Sequence, residues 1–146
     1  MTQHHFHLTA NWPGKRNDIG EIQSGNLSTQ VSIPKEMDGP GIGTNPDEML
    51  LGAAATCYII TLAAMLERSG ISHEGLELES TAIVDVTNGI FTYEKIIHRP
   101  TIVLIDEKDM IKTKRLVIKA EETCMISKAL RGNVVIELEA DISIIK

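Results

Sequence analysis

Aromatic side chains are scarce in this 146-residue chain: Phe6, Trp12, Tyr58, Phe91 and Tyr93 are all there are. Rings this few and this scattered cannot form the stacking platform of a single-strand nucleic-acid binder, so the core must be aliphatic. Cations are in deficit too. Fourteen Lys and Arg against twenty Asp and Glu leave a net charge of −6, which offers nothing to neutralise phosphates or coat an anionic bilayer. Nucleic acid is therefore excluded as a partner. Cysteine occurs only at positions 57 and 124, too few to staple a secreted miniprotein. Met1–Trp12 carries three histidines but no apolar stretch or small-residue cleavage site of an export signal, so a cytoplasmic location is expected. In that reducing compartment the two thiols are packing residues, metal ligands or redox groups. Repeats, low-complexity tracts and Ser/Pro-rich linkers are also missing, which points to one domain spanning 1–146. What is present, 42% apolar and 23% charged residues, is the composition of a soluble globular fold.

Alternation of apolar residues predicts strands at Phe6, Leu8, Ala10 and Trp12 and again at Leu27, Thr29, Val31 and Ile33, half-buried and antiparallel, with polar Gly14–Gly25 as a loop or wide hairpin between them. Gly39, Gly41 and Gly43 lead to Thr44-Asn45-Pro46-Asp47-Glu48, which joins an N-cap, a first-turn proline and two acids favoured by the helix dipole. From Met49 to Leu66 there is no charge, and Ser69-Gly70 supplies the stop. That length approaches a membrane span, but Gly52, Ala53, Ala54, Ala55, Thr56 and Thr61 dilute its hydrophobicity, so membrane insertion is not expected. A helix apolar all round belongs inside a core, covered on every side.

Further on, Leu76, Leu78, Ala82, Val84 and Val86 alternate, and Asn88-Gly89 marks a hairpin into Phe91, Tyr93 and Ile97. A separate strand is expected at Thr101–Ile105, then a helix with Leu116, Ala120 and Cys124 on one face, a short helical stretch over Ser127–Arg131, and a last strand whose alternation runs from Val134 to Ile144. The class is α+β with antiparallel sheet. One sheet is too little to enclose the central helix, so a homodimer in which two sheets enclose a shared helical layer is expected.

Chemistry centres on the cysteines. Either each is a small core residue that never reacts, or one is a peroxidatic thiol with a resolving thiol nearby, which requires a thiolate. Cys57 lies mid-helix, beyond the reach of its own helix dipole, and burial raises a thiol pKa, so a cation must come from elsewhere in the chain. It shares a stripe with Leu50, Ala53, Ala54, Thr61 and Ala64, small side chains that let another backbone approach closely. Asp47 is the better placed of the two acids around the helix, but about 15 Å along the axis separates it from Cys57; if it serves the same site it comes from the partner subunit.

Thr44-Asn45-Pro46-Asp47-Glu48-Met49-Leu50 followed by Ala54-Ala55-Thr56-Cys57 resembles the TNPE-(E/Q)-L…AAxxAC signature of the OsmC/Ohr family, the osmotically inducible and organic hydroperoxide resistance proteins. Cys124-Met125-Ile126-Ser127-Lys128-Ala129-Leu130-Arg131-Gly132-Asn133 is similar to that family's CPxSKAxxGN motif, and Ile33-Pro34-Lys35-Glu36 with Gly39-Pro40-Gly41 resembles the segment before its central helix. The resemblance implies an OsmC-like fold, with antiparallel sheets around a long buried central helix in an intertwined homodimer, and active sites at the subunit interface. It implies a thiol-dependent peroxidase for organic hydroperoxides, with no bound cofactor or metal and an external dithiol, lipoyl or similar, as reductant. Carried over by residue, Cys57 is the peroxidatic and Cys124 the resolving cysteine. Arg16 is the activating arginine, with Lys15 as rival, and Asp47 takes the place of its glutamate partner, one methylene shorter, with Glu48 as rival. Met125 departs from the motif's proline.

Walls from Met49, Leu50, Ile59 and Leu130 would favour alkyl or lipid hydroperoxides over hydrogen peroxide. From other classes stand a noncatalytic dimer that binds an apolar ligand, and a thiol protein that handles persulfides or other electrophiles. His4, His5 and His7 lack a further convergent ligand; the Gly39–Thr44 run lacks the Gly-Lys-Ser/Thr of a phosphate loop; and Lys112, Lys114, Arg115 and Lys119 read as a solvated helix face.

Overall fold

Glycine and asparagine set the turns of the first residues. In the computed structural model, which describes residues 1–146, the chain resolves into two units, Met1–Met49 and Leu50–Lys146. In the first, strands β1 (Thr9–Asn11), β2 (Gly20–Ser24) and β3 (Leu27–Val31) form an antiparallel sheet in that order. Gly25, at φ 58°, and Asn26 make the two-residue turn that sets Ser24 opposite Leu27. Two expectations are corrected. The first strand is only three residues long, and Phe6 and Leu8 lie exposed ahead of it. The segment read as a loop contains β2: Gly20 and Ile22 are buried and Glu21 and Gln23 exposed, an alternation with a single large apolar residue and hence little contrast.

After β3 the chain turns back on itself. The buried Ser32 hydroxyl donates to the Ile42 carbonyl at 2.7 Å and accepts the Ile42 N–H at 2.8 Å, closing the loop. Gly43, at φ 67°, lies so close to the Gln30 carbonyl that a Cβ would collide with it. The helix signal is confirmed: Asn45 Oδ1 accepts the Glu48 N–H at 2.9 Å, Thr44 donates to the Glu48 carboxylate at 3.0 Å, and Pro46 opens α1 (Pro46–Arg68).

In the second unit, Asn88 and Gly89 both adopt left-handed backbone, φ 53° and 74°, and join β4 (His73–Thr87) to β5 (Ile90–Leu104) as an antiparallel hairpin with a register shift at Ile83/Val84. The separate strand expected at Thr101 is the continuation of β5, which runs through Pro100. The chain then forms α2 (Met110–Thr123), α3 (Met125–Leu130), β6 (Val135–Leu138) and β7 (Asp141–Ile144). The last alternating run is thus two strands, both parallel to β5: Ile96 faces Ile136 in β6, and Ile102 faces Ile142 in β7. Alternation reports which face is buried and is silent on strand direction. Pro100, lacking an N–H, falls between the last β5 residue paired with β6, His98, and the first paired with β7, Thr101. The α+β class stands as expected, but this one chain holds two sheets, and the second is mixed where antiparallel pairing was expected.

Ile96, His98, Pro100, Ile102 and Leu104 bury one face of β5 at period two. Against it pack Tyr58, Leu62, Met65 and Leu66 of α1 with Val117 and Ala120 of α2, while Ala54, Ile96 and Val134 form a smaller cluster with Leu51, Ile126 and Leu130. Truncating one such leucine to alanine costs about 2–5 kcal/mol. On α1 itself, Gly52, Ala53, Thr56 and Ile60 are exposed.

At the centre, the fully buried His98 ring stacks on Tyr58, with centroids 4.9 Å apart and planes at 6°. Tyr58 donates to the Val117 carbonyl at 2.9 Å, and His98 Nδ1 lies 2.6 Å from Ser80 Oγ. Burial lowers the His98 pKa from 6.5 to about 4. Between these values the unfolded chain binds a proton that the folded one refuses, so stability declines as pH falls through that window, by at most about 3 kcal/mol. The drop in urea midpoint from pH 7 to pH 4.5 is expected to be larger for the wild type than for His98→Phe, which keeps the ring stack; equal drops would refute this origin.

Candidate active site

Small residues on α1 leave room for a second backbone beside Cys57, and the start of α3 occupies that room. The approach depends on a break at Cys124, whose backbone is extended (φ −57°, ψ 125°) rather than helical. Its N–H closes α2 on the Ala120 carbonyl, and its own carbonyl accepts the Lys128 N–H, each at 2.9 Å. Cys124 is therefore the junction of two helices and not a residue on a helix face, which corrects the helical placement. With proline at 125 the break would have been legible, since proline forces the preceding residue into extended backbone; Met125 adopts the same geometry without announcing it.

The junction brings the two thiols together. Cys57 is half-buried and Cys124 fully buried. Burial opposes ionisation of Cys57 but is outweighed by hydrogen bonds to its sulfur, from the Cys124 thiol, the Ile126 N–H, the Thr61 side chain and the Met125 N–H, so that its pKa lies below the ordinary thiol value of 9.0. Cys124 moves the other way. Burial and its bond to Cys57 raise its pKa, and the Ser127 N–H and side chain offset this only in part. The two shifts are opposed: ionisation is eased at Cys57 and made harder at Cys124. Within this unit, hydrogen bonds supply part of the stabilisation that the sequence assigned to a cation. Two of the donors are main-chain amides, which no residue pattern reveals. Thr61 was visible on the Cys57 stripe, and its hydroxyl is the one donor there that residue type could reveal.

Arg16 and Asp47 belong to the Met1–Met49 unit. The Arg16 guanidinium donates to the Met37 and Asp38 carbonyls at 2.8 and 3.3 Å and to the Asn17 side chain at 2.8 Å, which fixes it within its own loop. Lys15 contributes main chain to the same loop: its N–H donates to Asp18 at 2.7 Å and its carbonyl accepts from Trp12 at 2.9 Å. Asp47 is half-buried in the first turn of α1, and Glu48 is taken up by Thr44. Leu130 packs in the smaller core cluster, which includes Ile126 beside Cys57. His4, His5 and His7 are exposed ahead of β1.

The family model described as OsmC-like protein matches residues 39–139, a span that holds both cysteines and the whole junction. The chain belongs to the OsmC-like family. Among its relatives, the uncharacterized protein YmaD of Bacillus subtilis is 63% identical over 99% of this chain and 98% of its own. The organic hydroperoxide resistance protein OhrB of the same organism is 28% identical over 90% of this chain and 96% of its own. The crystal structure of an organic hydroperoxide resistance protein OsmC from Legionella pneumophila superposes with a TM-score of 0.79 at 25% identity, covering 97% of this chain and 99% of that one. This OsmC-like chain thus shares its fold with a family whose members are named for hydroperoxide resistance and redox chemistry. From the opposed thiol pKa values, iodoacetamide at pH 7 is expected to modify Cys57 about tenfold faster than Cys124 in the folded protein, read by peptide mass; equal rates would contradict the assignment.

Proposed function

We propose that this OsmC-like protein is a cysteine-based peroxidase that reduces organic hydroperoxides, alkyl or lipid, to alcohols. The observation that carries this reading is the pair of free thiols, Cys57 half-buried and Cys124 buried beside it, with ionisation eased at Cys57 and opposed at Cys124. The Cys57 thiolate attacks the terminal peroxide oxygen and the O–O bond breaks. The alkoxide takes a proton and leaves as alcohol, and Cys57 becomes a sulfenic acid. Cys124, already against that sulfur, displaces hydroxide, which takes the thiol proton and leaves as water, and a disulfide forms. An external dithiol, lipoyl or similar, then reduces the bridge by exchange and is itself oxidised to a disulfide.

Through the family resemblance we assign Arg16 to the support of the thiolate and Asp47 to the orientation of Arg16. The same resemblance leads us to a homodimer in which a second copy covers the apolar stripe at Gly52, Ala53, Thr56 and Ile60, acting in a reducing cytoplasm. Leu130 and the cluster around Ile126 favour an alkyl substrate over hydrogen peroxide.

With one equivalent of an organic hydroperoxide, the wild type is expected to lose two free thiols and two mass units, Cys124→Ser to stop at the sulfenic acid, and Cys57→Ser to remain unreacted. Unchanged thiols in all three would overturn the peroxidase and leave a noncatalytic binding protein; modification by persulfides alone would redirect the chemistry to those electrophiles.

A further inference from the structure

Lys112, Lys114, Arg115 and Lys119 are all exposed on α2, and none of them forms an ion pair. The helix buries Thr113, Val117 and Ala120 against the core. On its outward side stand Ile111, 73% exposed, and Ile118, 55% exposed. An isolated exposed isoleucine needs no explanation, but these two are aligned. Positions seven apart on a helix fall within about 20° of each other and about 10 Å apart along the axis, so Ile111 and Ile118 form a line down the middle of the outward face. Lys114 flanks this line on one side, and Arg115, Lys119 and Lys112 follow in that order on the other. Glu122, the exposed acid of α2, lies beyond Lys119 at the C-terminal end.

An apolar line with a repeat of seven and like charges on both flanks is the pattern by which one helix receives another: apolar residues of the incoming helix meet the line, and its flanking side chains meet the charges. The flanks here are cationic, so those of the incoming helix are carboxylates. An anionic bilayer fits this face less well. It calls for a broader apolar surface than two side chains, and it repels the rest of the chain, which carries −10 once these four cations are set apart from the net −6. A docked helix senses mainly the local charge, because salt at physiological strength screens interactions over about 8 Å.

We propose that the outward face of α2 is a docking surface for an acidic amphipathic helix of another protein, seated on Ile111 and Ile118 and held by Lys112, Lys114, Arg115 and Lys119. The surface does not involve the thiol pair, and the inference does not rest on the peroxidase reading.

The experiment is the fluorescence anisotropy of a labelled synthetic helix, with leucines seven residues apart and glutamates on both flanks, titrated with the full-length protein. Binding is expected, and it is expected to weaken about tenfold between about 0.05 and 0.5 M salt. Reversing charge with Arg115→Glu and Lys119→Glu together is expected to weaken it about tenfold, and Ile118→Ser about fivefold. These substitutions are on the surface and are expected to leave the melting temperature unchanged. Absence of binding, or binding indifferent to the charge reversal, would overturn the proposal. So would equal binding of a polyglutamate of the same length, since charge alone would then suffice. Binding to phosphatidylglycerol vesicles in place of the helix would overturn it in favour of a bilayer, and self-association abolished by the charge reversal would overturn it in favour of a second copy of this chain.

Discussion

The approach of the Cys124 thiol to Cys57 ties together three elements that are far apart in sequence: the middle of α1, the end of α2 and the beginning of α3. Its existence depends on the extended backbone of Cys124. Were the helix to continue unbroken from Met110 to Leu130, the amides of Met125 and Ile126 would be spent on the carbonyls four residues before them, and Cys57 would lose both of them against the burial that opposes its ionisation. The interruption frees those amides at the moment it positions the second sulfur. The local fold and the thiol chemistry are consequences of one break.

Behind the thiols the structure is rigid in a specific way. Tyr58, the residue after Cys57, is pinned by its hydroxyl to α2 and by its ring to His98 on β5, so the helix cannot rotate about its axis without breaking a buried hydrogen bond and an aromatic stack. The Cys57 side chain therefore faces the junction with little freedom. The buried polar groups of this core do not react; they fix the angle at which a reacting group is presented.

Much of this was legible from residue types, and the reasons for the remainder are physical. The start of α1 was readable because Thr44, Asn45 and Pro46 each do something only a helix N-terminus needs. The β4–β5 turn was readable because Asn-Gly tolerates left-handed backbone. The thiol pair was readable through the two motifs around Cys57 and Cys124. Strand β2 was obscure, with Ile22 as its only large apolar residue, and the direction of β6 and β7 was invisible because alternation is the same for parallel and antiparallel pairing. The donors to Cys57 were hidden for a third reason: amides belong to every residue, and only a backbone angle at Cys124 decides which of them are free.

Strand β4 lies at the edge of its sheet, and a fifteen-residue open edge is ordinarily a template onto which another strand can add. Along it stand Glu74, Glu77, Glu79 and Asp85, and neither lysine nor arginine. Two copies brought edge to edge would set carboxylate against carboxylate, and the register shift at Ile83/Val84 adds a local twist that spoils a flat match. The strand that builds the sheet thereby also guards it against amyloid-like growth.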